Sequence, residues 1–448
     1  MVDGGSSPVQ QTPLARWIAT ITTVIVALLF ALGTDSTDAL LEKLWGSDFR
    51  LAVGILSRLW FYSTPAGAFI GILLGCLVLR SSWLTQSALR FLRIGRWAPF
   101  FLWWTLAAEL TAAQQPIPLS WFGTYGAVAV ALAAWYEFLA LRFVLRLPLR
   151  AALGGLVRPV IIHGILIALV LDMSVSAELW FVYPGKTPIS YAVSIALAAI
   201  ILLIHRASGH TFDQAAADRG AILVEELKYD NWSSLWGAAA LIVTCFVAWQ
   251  ARAGLEFSTS PIEVLVALRA SASGGELLGD ISVSLAEIVV GLVLSGGVAA
   301  FLVFVSGRAA RLKGLLQLAQ VAPIALLPDI FGLFQMSLYK WSIACAAVFC
   351  FYPFARALWG LRSETILCRT LLALDEALPY GAAAIVYGEA MNATGGLGFM
   401  IVVAGATSQT AKGLAGFLTL LLLVATLSTL LRWLANGAYY SALSTGKN

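Results

Sequence analysis

The stretch ISVSLAEIVVGLVLSGGVAAFLVFVSGRAARLK, at residues 281–313, decides the fold class of this 448-residue chain. Residues 281–306 carry one ionisable side chain, Glu287, and exceed the roughly 20 apolar residues that cross a bilayer core. Basic residues follow immediately, at 308–313. Lys and Arg at the ends of membrane helices stay in the cytoplasm, so this stretch predicts both a transmembrane helix and its orientation.

The same pattern recurs along the whole chain. Twelve spans are predicted, at residues 15–33, 50–79, 97–113, 119–145, 156–182, 188–204, 234–251, 281–306, 315–336, 338–359, 378–405 and 412–437. Every second loop is rich in arginine, namely the loops at 80–96, 142–158, 308–313 and 356–369. A cytoplasmic amino terminus places all of these loops in the cytoplasm, together with the carboxyl terminus.

Composition excludes several classes of protein. The chain is 60% hydrophobic and 12% charged, whereas soluble domains are about 25% charged. The net charge of +4 lies in the loops, which predicts contact with anionic membrane lipid and no nucleic-acid binding. Five cysteines without a C-x-x-C pair, and three histidines, indicate neither a disulfide framework nor a metal site.

A polar stretch divides the chain near its middle. We predict an amino-terminal half at 1–204, a cytoplasmic linker at 205–233 and a carboxyl-terminal half at 234–448, with a short surface helix at 212–229. An Ala-Pro pair and a later Leu-Arg pair recur in both halves, at 98–99 and 141–142, and at 322–323 and 361–362. The fold class expected is an all-α polytopic protein of two six-helix halves; alternatively, the likeness reflects the shared composition of membrane helices.

Ordered motifs in the second half carry a resemblance. They are FSTSPIEVL at 257–265, GELLGDISVSL at 275–285, VAPIALL at 321–327, GLR at 360–362 and GEAMNATGGLGFMI at 388–401. In this order they resemble the inner-membrane permease subunits of ABC importers in the nitrate, sulfonate, taurine and bicarbonate family. The resemblance covers about residues 234–437, and the first half matches only in outline.

The resemblance implies a type I ABC importer permease in the bacterial cytoplasmic (inner) membrane. It implies two kinds of partner, ABC ATPase subunits and a periplasmic or lipid-anchored substrate-binding protein, and a small anion or organic solute as the substrate. The chain lacks the Walker A pattern, so ATP and Mg²⁺ would be bound by the partner ATPase. We expect no catalytic residue, metal or cofactor in this subunit.

Ionisable groups and glycines at membrane depth are the candidates for the substrate pathway, because a buried charge costs roughly 2.5–3.5 kcal/mol at a helix centre. The pathway residues predicted are Glu389, Asn392, Asp329, Glu287, Gly395, Gly396 and Gly398. Glu389 matches the glutamate of the family motif. The alternative for Glu389 and Asp329 is a structural hydrogen bond. Other intramembrane groups are Glu109, Glu137, His163 and Asp172.

The chain departs from the family in its cytoplasmic coupling segment. The family carries a Glu-Ala-Ala…Gly segment that docks on the ATPase, but the loop here is short and lacks it. We assign ATPase coupling to Arg362, Glu364, Arg369, Asp375, Glu376, Arg146 and Arg150. This departure supports one alternative, a non-transporting membrane scaffold derived from a permease. A second alternative is an ion-coupled secondary transporter, a class that twelve spans with both termini inside fit equally well.

Overall fold

The protein is described by a computed structural model, which covers residues 47–99, 119–157, 159–161, 212–229, 232–256, 259–306, 338–361, 364–392 and 394–444. These residues are helical, with no strand among them. In chain order the helices are α1 (Ser47–Val78), α2 (Ser82–Gly95), α3 (Leu119–Leu139, continued by a π-helical turn at Ala140–Val144), α4 (Phe212–Leu227), α5 (Trp232–Glu256), α6 (Pro261–Ser273), α7 (Glu276–Ser306), α8 (Leu338–Gly360), α9 (Ile366–Asn392), α10 (Leu397–Ala406) and α11 (Thr410–Ser444).

Six of the described helices are long and apolar enough to cross a membrane, so this is a multi-pass α-helical membrane protein. They are α1, α3, α5, α7, α8 and α11, and each coincides with a predicted span. The predicted spans at 15–33, 188–204 and 315–336 lie outside the described residues, as do most of 97–113 and 156–182. The count of twelve spans therefore stays a prediction.

Two elements differ from the sequence prediction. The span predicted at 378–405 is not one helix, because α9 begins earlier, at Ile366, and ends at Asn392, and the separate helix α10 follows from Leu397. The predicted surface helix of the linker, α4, is built into the bundle, with Ala216 and Leu223 fully buried or nearly so.

Small residues allow α1 and α3 to pack closely. Gly67, Gly71 and Gly75 recur at every fourth position of α1, along one face of the helix. A methyl group added at Gly71 would lie 2.5 Å from the carbonyl oxygen of Ala131 on α3. The two backbones therefore touch, as small-xxx-small patterns permit in membrane helices.

The core of the second half also takes in Ile94 of α2 and Leu223 of α4. Within this core α8 packs against both α7 and α9, and α11 packs against α9 and α10. Its interior is lined by small side chains, including Cys345, Ala346 and Cys350, each with no exposed surface. These two cysteines fill space in the core, whereas Cys76 and Cys245 are exposed, and the five cysteines that the structure describes are free thiols.

The described parts of the basic segments at 80–96, 142–158 and 356–369 lie at one end of the bundle. The indole nitrogen of Trp83 on α2 donates to the carbonyl of Ser233 at the start of α5, at 3.1 Å. The ring of Phe143, at the end of α3, lies 5.1 Å from the ring of Tyr229. We call this the arginine-rich end, and the bias of positive charge predicts that it faces the cytoplasm.

At the opposite end of the bundle lie the helix α6 and the first residues of α7 and α11. Lys412 of α11 forms an ion pair of 3.1 Å with Glu276 of α7. Ser260 and Glu263 form a capping box that starts α6, with Pro261 as its first residue. Residues 260–263, the SPIE part of the FSTSPIEVL motif, therefore start a helix at this end of the bundle.

The close approach of α1 and α3 predicts that Gly71→Ala destabilises the first half. The added methyl group overlaps the α3 backbone, and overpacking of this kind costs about 1–3 kcal/mol. We expect a lower apparent melting temperature of the detergent-solubilised protein. Gly297→Ala is the control, because nothing lies within 4 Å of the added carbon. Equal melting temperatures for both variants would contradict the packing.

Candidate functional site

The main candidate site is the start of α10, which follows the break after α9. Gly396, the residue before the helix, has a φ of 108°, a conformation that L side chains rarely adopt. The chain then enters α10 at Leu397, a fully buried residue. The first amides of a helix have no acceptor within the helix, so buried ones must find side-chain partners.

Three side chains accept these amides. The amide of Gly396 donates to Asp280 Oδ1 at 2.9 Å, and the amide of Leu397 donates to Ser284 Oγ at 2.8 Å. The amide of Gly398 donates to Glu389 Oε2 at 2.5 Å. Two of the acceptors come from α7 and one from α9, so the start of α10 ties these helices together.

Glu389 is the centre of this site. Its side chain has no exposed surface, and its second oxygen accepts a hydrogen bond of 2.6 Å from Ser284 Oγ. A methyl group added at Gly396 would lie 2.3 Å from Glu389 Cδ, and one added at Gly398 would lie 2.7 Å from the Cα of Val386. Glycine is required at both positions so that the backbone can approach the carboxylate.

A second carboxylate lies beside the first. Glu287 of α7 lies one helical turn after Ser284, on the same face of the helix, and Ser284 donates to Glu389. It is 4% exposed, and neither of its oxygens accepts a hydrogen bond of good geometry from a described residue. Lys and Arg form no ion pair with Asp280, Glu287 or Glu389 within the described ranges, so this carboxylate site is acidic.

The predicted pathway residues are brought together in part. Four of them are in or next to the site, namely Glu389, Glu287, Gly396 and Gly398. Gly395 is close to Asp280, because a carbon added at Gly395 would lie 3.7 Å from Asp280 Oδ1. Asn392 is the last residue of α9, just before the break. Asp329 lies outside the described residues, as do Glu109, His163 and Asp172.

A second cluster of buried charges lies near the arginine-rich end. Glu376 of α9 accepts two hydrogen bonds from Arg219 of α4, at 2.8 and 2.6 Å. Arg356 of α8 donates to the same carboxylate at 2.8 Å. Burial opposes ionisation of Glu376, but the two guanidinium groups outweigh it and hold its pKa at about 2.

A neighbouring pair of carboxylates continues this cluster. Arg432 of α11 lies 3.3 Å from Glu226 of α4 and 3.2 Å from Asp375 of α9. The hydroxyl of Tyr136 on α3 donates to Glu226 at 2.6 Å, and Ser428 donates to Asp375. The first half thus joins the network through Tyr136.

Arg96, which follows α2, extends the cluster within the first half. Its guanidinium group lies 3.9 Å from the ring centroid of Tyr136 and 3.5 Å from Glu137. The whole network pairs four guanidinium groups with four carboxylates, the members being Arg96, Arg219, Arg356, Arg432, Glu137, Glu226, Asp375 and Glu376. We call it the junction network.

The structure places the predicted coupling residues in different environments, some of them buried and others exposed. Asp375 and Glu376 are buried within the junction network, so their effect on any partner would be indirect. Glu364 and Arg369 are half-buried near the start of α9, and Arg362 lies outside the described residues. Arg146 and Arg150 are exposed after α3.

Arg146 also lines a cavity at the arginine-rich end. The cavity has a volume of about 490 Å³ and is lined by Leu79, Arg142, Phe143, Arg146 and Tyr229. Arg146 has a positive φ of 53°, and the π-helical turn precedes it. The guanidinium group of Arg142 donates to the carbonyl of Leu147 at 2.8 Å. The cavity is therefore basic, unlike the site at α10.

Sequence reasoning missed the partners that come from other elements. The sequence places Asp280 and Ser284 in the GELLGDISVSL motif but gives neither of them a role. It gives no role to Arg219, Glu226 or Arg432 either. Arg432 could have been found, because it is a charge inside the apolar run 412–437. Within the residues that the structure describes, no group of three or more metal-ligating side chains occurs.

No protein family model matches the chain, and neither a curated protein nor a solved structure matches it.

The junction network predicts that Glu376→Gln is strongly destabilising. The change leaves Arg219 and Arg356 buried without a full counter-charge, which costs about 3–5 kcal/mol when a buried pair is broken. We expect a large fall in apparent melting temperature. Glu225→Gln, at the exposed pair with Lys228, is the control and should cost at most about 1 kcal/mol. A small effect of Glu376→Gln would show that the network does not stabilise the fold.

The geometry at the start of α10 predicts that alanine substitutions at two adjacent glycines affect stability differently. Gly396→Ala imposes a disfavoured φ, at roughly 1–3 kcal/mol, and drives a methyl group into Glu389. Gly395→Ala places its added carbon 3.7 Å from Asp280, an ordinary contact. We expect Gly396→Ala alone to lower the melting temperature of the protein. Indistinguishable variants would contradict the described turn.

Proposed function

We propose that the chain is the transmembrane subunit of an ATP-driven importer, which forms the translocation path for a small solute and is energised by separate ATPase subunits. The observation that carries this proposal is the break between α9 and α10, where a helix starts among buried carboxylates inside an apolar bundle. Broken helices with polar ends are a common way to line a substrate path in transporters.

The chemistry of the site bears on the class of solute. The first three amides at the start of α10 already donate to Asp280, Ser284 and Glu389, so none of them is left for an anion. The surrounding carboxylates also repel negative charge. Of the small anion and the organic solute that the resemblance implies, this site favours an organic solute that is neutral or cationic.

The arginine-rich end offers a place for the ATPase. The first turn of α9 exposes two apolar side chains, Ile366 at 84% and Leu367 at 60%. An exposed apolar pair beside charged groups is typical of a protein contact. The chain has no Walker A pattern, so the ATPase must be another protein. The proposed partners and the inner-membrane location follow from the sequence resemblance.

A secondary transporter is the second candidate. Two adjacent buried carboxylates without an ion-paired cation, Glu287 and Glu389, are a feature of proton- and ion-coupled carriers. Purified protein in sealed vesicles separates the two candidates. Uptake that needs an added ATPase partner and ATP supports the importer, whereas uptake driven by an ion gradient alone supports the carrier. If neither condition gives uptake of any solute, the chain would be a scaffold.

The proposed ATPase contact makes Ile366→Asp a direct test. A charge at the centre of an apolar contact is expected to weaken binding by at least tenfold, since buried unpaired charges at interfaces cost several kcal/mol. The measurement is co-purification of ATPase activity with the gently solubilised complex.

Ile262→Asp is the matched control, because this isoleucine is 60% exposed on α6 at the opposite end of the bundle. We expect the ATPase to remain with the control and to be lost from Ile366→Asp. Retention of the ATPase by both variants would place its binding surface elsewhere.

A further inference from the structure

The basic cavity at the arginine-rich end takes no part in the proposed translocation path. It is lined by the residue that follows α1, by the end of α3 with the turn after it, and by Tyr229, which follows α4. Its volume of about 490 Å³ lies within the range of roughly 300–1,000 Å³ that small-molecule sites occupy. The cavity is therefore large enough to hold a ligand of its own.

The positive charge of the cavity has no counter-charge among the residues that the structure describes. Neither Arg142 nor Arg146 forms an ion pair there. Glu225, one helical turn before Tyr229, is already paired with Lys228 at 2.7 Å. Residues 142–158 contain four arginines and no acid. A ligand of this cavity is therefore expected to be an anion.

The two arginines are held in a way that suits a phosphate. The guanidinium group of Arg142 is anchored by one hydrogen bond of 2.8 Å to the carbonyl of Leu147, and a guanidinium group has five N–H donors. Arg146 has a φ of 53°, which is uncommon for any residue other than glycine, and such backbone outliers cluster at functional sites. The planar fork of arginine matches the oxygens of a phosphate group.

The cavity lies at the level where membrane lipids carry their phosphates. Two candidate membrane spans, Phe61–Val78 and Thr124–Val144, end beside it. Leu79 directly follows the first span, and Arg142 and Phe143 lie in the last turn of the second. Basic pockets between membrane helices on the cytoplasmic side are suited to anionic lipid head groups.

An apolar groove follows the same side of α1. It has a volume of about 300 Å³ and lies between α1, from Phe61 to Ile72, and helical residues within 153–161. Ile72 and Leu79 are two helical turns apart, so they share one face of α1. The groove extends for about 16 Å along α1, close to half of a bilayer core of roughly 30 Å. This length suits one acyl chain of a lipid.

We propose that the basic cavity binds the phosphate group of an anionic phospholipid from the cytoplasmic leaflet, with Arg142 and Arg146 as its ligands. The groove beside α1 favours a lipid over a free phosphate ion, because it offers an apolar surface for an acyl chain. The sequence assigned Arg146 to ATPase coupling, whereas this proposal assigns it to lipid. The proposal does not rest on the importer function.

The bound lipid would stabilise the contact between the first half and the residues after α4. The ring of Phe143 lies 5.1 Å from the ring of Tyr229, and both rings line the cavity. A ligand that binds only the folded arrangement shifts the equilibrium toward it. Anionic phospholipid is therefore expected to raise the apparent melting temperature of the chain.

Binding of short-chain phosphatidylglycerol to the full chain tests the proposal, with the protein in a neutral detergent at physiological ionic strength. We expect Arg146→Asn to weaken binding by about tenfold or more, because it removes charge-assisted hydrogen bonds. Asparagine tolerates a positive φ, so the backbone is retained. Arg150→Gln is the matched control, because Arg150 is exposed and does not line the cavity. Its effect should stay below about threefold, since exposed charges are screened.

Three further probes identify the chemistry that is bound. Phosphatidylcholine of the same chain length lacks the net charge, a fatty acid of that length lacks the phosphate, and inorganic phosphate lacks the chains. Weak binding of all three supports the proposal. Equal binding of phosphatidylcholine or of the fatty acid would overturn it. Inorganic phosphate that binds as tightly as the lipid, and only when Arg146 is present, would overturn the lipid as the source of the phosphate.

The two variants also separate a lipid site from general surface charge and from ATPase coupling. Equal weakening by Arg146→Asn and Arg150→Gln would show that surface charge alone attracts the lipid. Loss of the ATPase from Arg146→Asn with unchanged lipid binding would return Arg146 to coupling. Either result would overturn the proposal. We expect phosphatidylglycerol to raise the melting temperature of the unaltered protein and of Arg150→Gln, but not of Arg146→Asn.

Native mass spectrometry of the unaltered chain decides the matter if Arg146→Asn does not fold. Retention of an anionic phospholipid through purification supports the site, whereas retention of zwitterionic lipid only, or of none, contradicts it. These measurements use the chain without an ATPase or a transported solute. Failure of the proposed importer function would therefore leave their results unchanged, and failure of the lipid site would leave the transport assay unaffected.

Discussion

Glu376 is the residue on which the arrangement of the bundle depends, because it neutralises two guanidinium groups that are otherwise buried. Arg219 comes from α4 and Arg356 from α8, while Glu376 itself lies on α9. A buried arginine without a counter-charge is strongly unfavourable, so the three helices have to meet at this point. The close approach of Gly220 to Gly360 gives α4 room to reach α8, since an added carbon at Gly220 would lie 2.4 Å from the Gly360 carbonyl oxygen.

The junction network and the carboxylate site stabilise their buried charges in opposite ways. The junction network balances four guanidinium groups with four carboxylates and is held by hydrogen bonds between five helices and the residue that follows α2. The carboxylate site has no cation in its described ion pairs and relies on helix amides and hydroxyl groups. The first arrangement suits a fixed junction between the halves. The second leaves the carboxylates without a counter-charge among the described residues.

The sequence predicted an all-helical, multi-pass membrane protein, because this fold class depends on local composition. Apolar runs of sufficient length gave the six candidate spans that the structure describes, and the arginine-rich loops among its residues meet at one end. Glu389 and the glycine turn could also be predicted, since an acid and several glycines are unusual at membrane depth. The span predicted at 378–405 is divided into α9 and α10 at its glycines, and the side chains of α7 that accept the amides there could not be predicted from this run alone.

By itself, the sequence determined that the chain is a multi-pass helical membrane protein, and it identified Glu287 and Glu389 as polar groups within the apolar runs. The tertiary structure decided which of those groups meet. It paired Glu376 with Arg219 across 157 positions of the chain, and placed Glu287 beside Glu389. It also buried the helix α4. The mixed charge of this helix predicts a solvated linker, but Arg219 and Glu226 form ion pairs inside the bundle. The reason is physical: hydropathy is a property of each segment, whereas the cost of a buried charge depends on the neighbours that folding supplies.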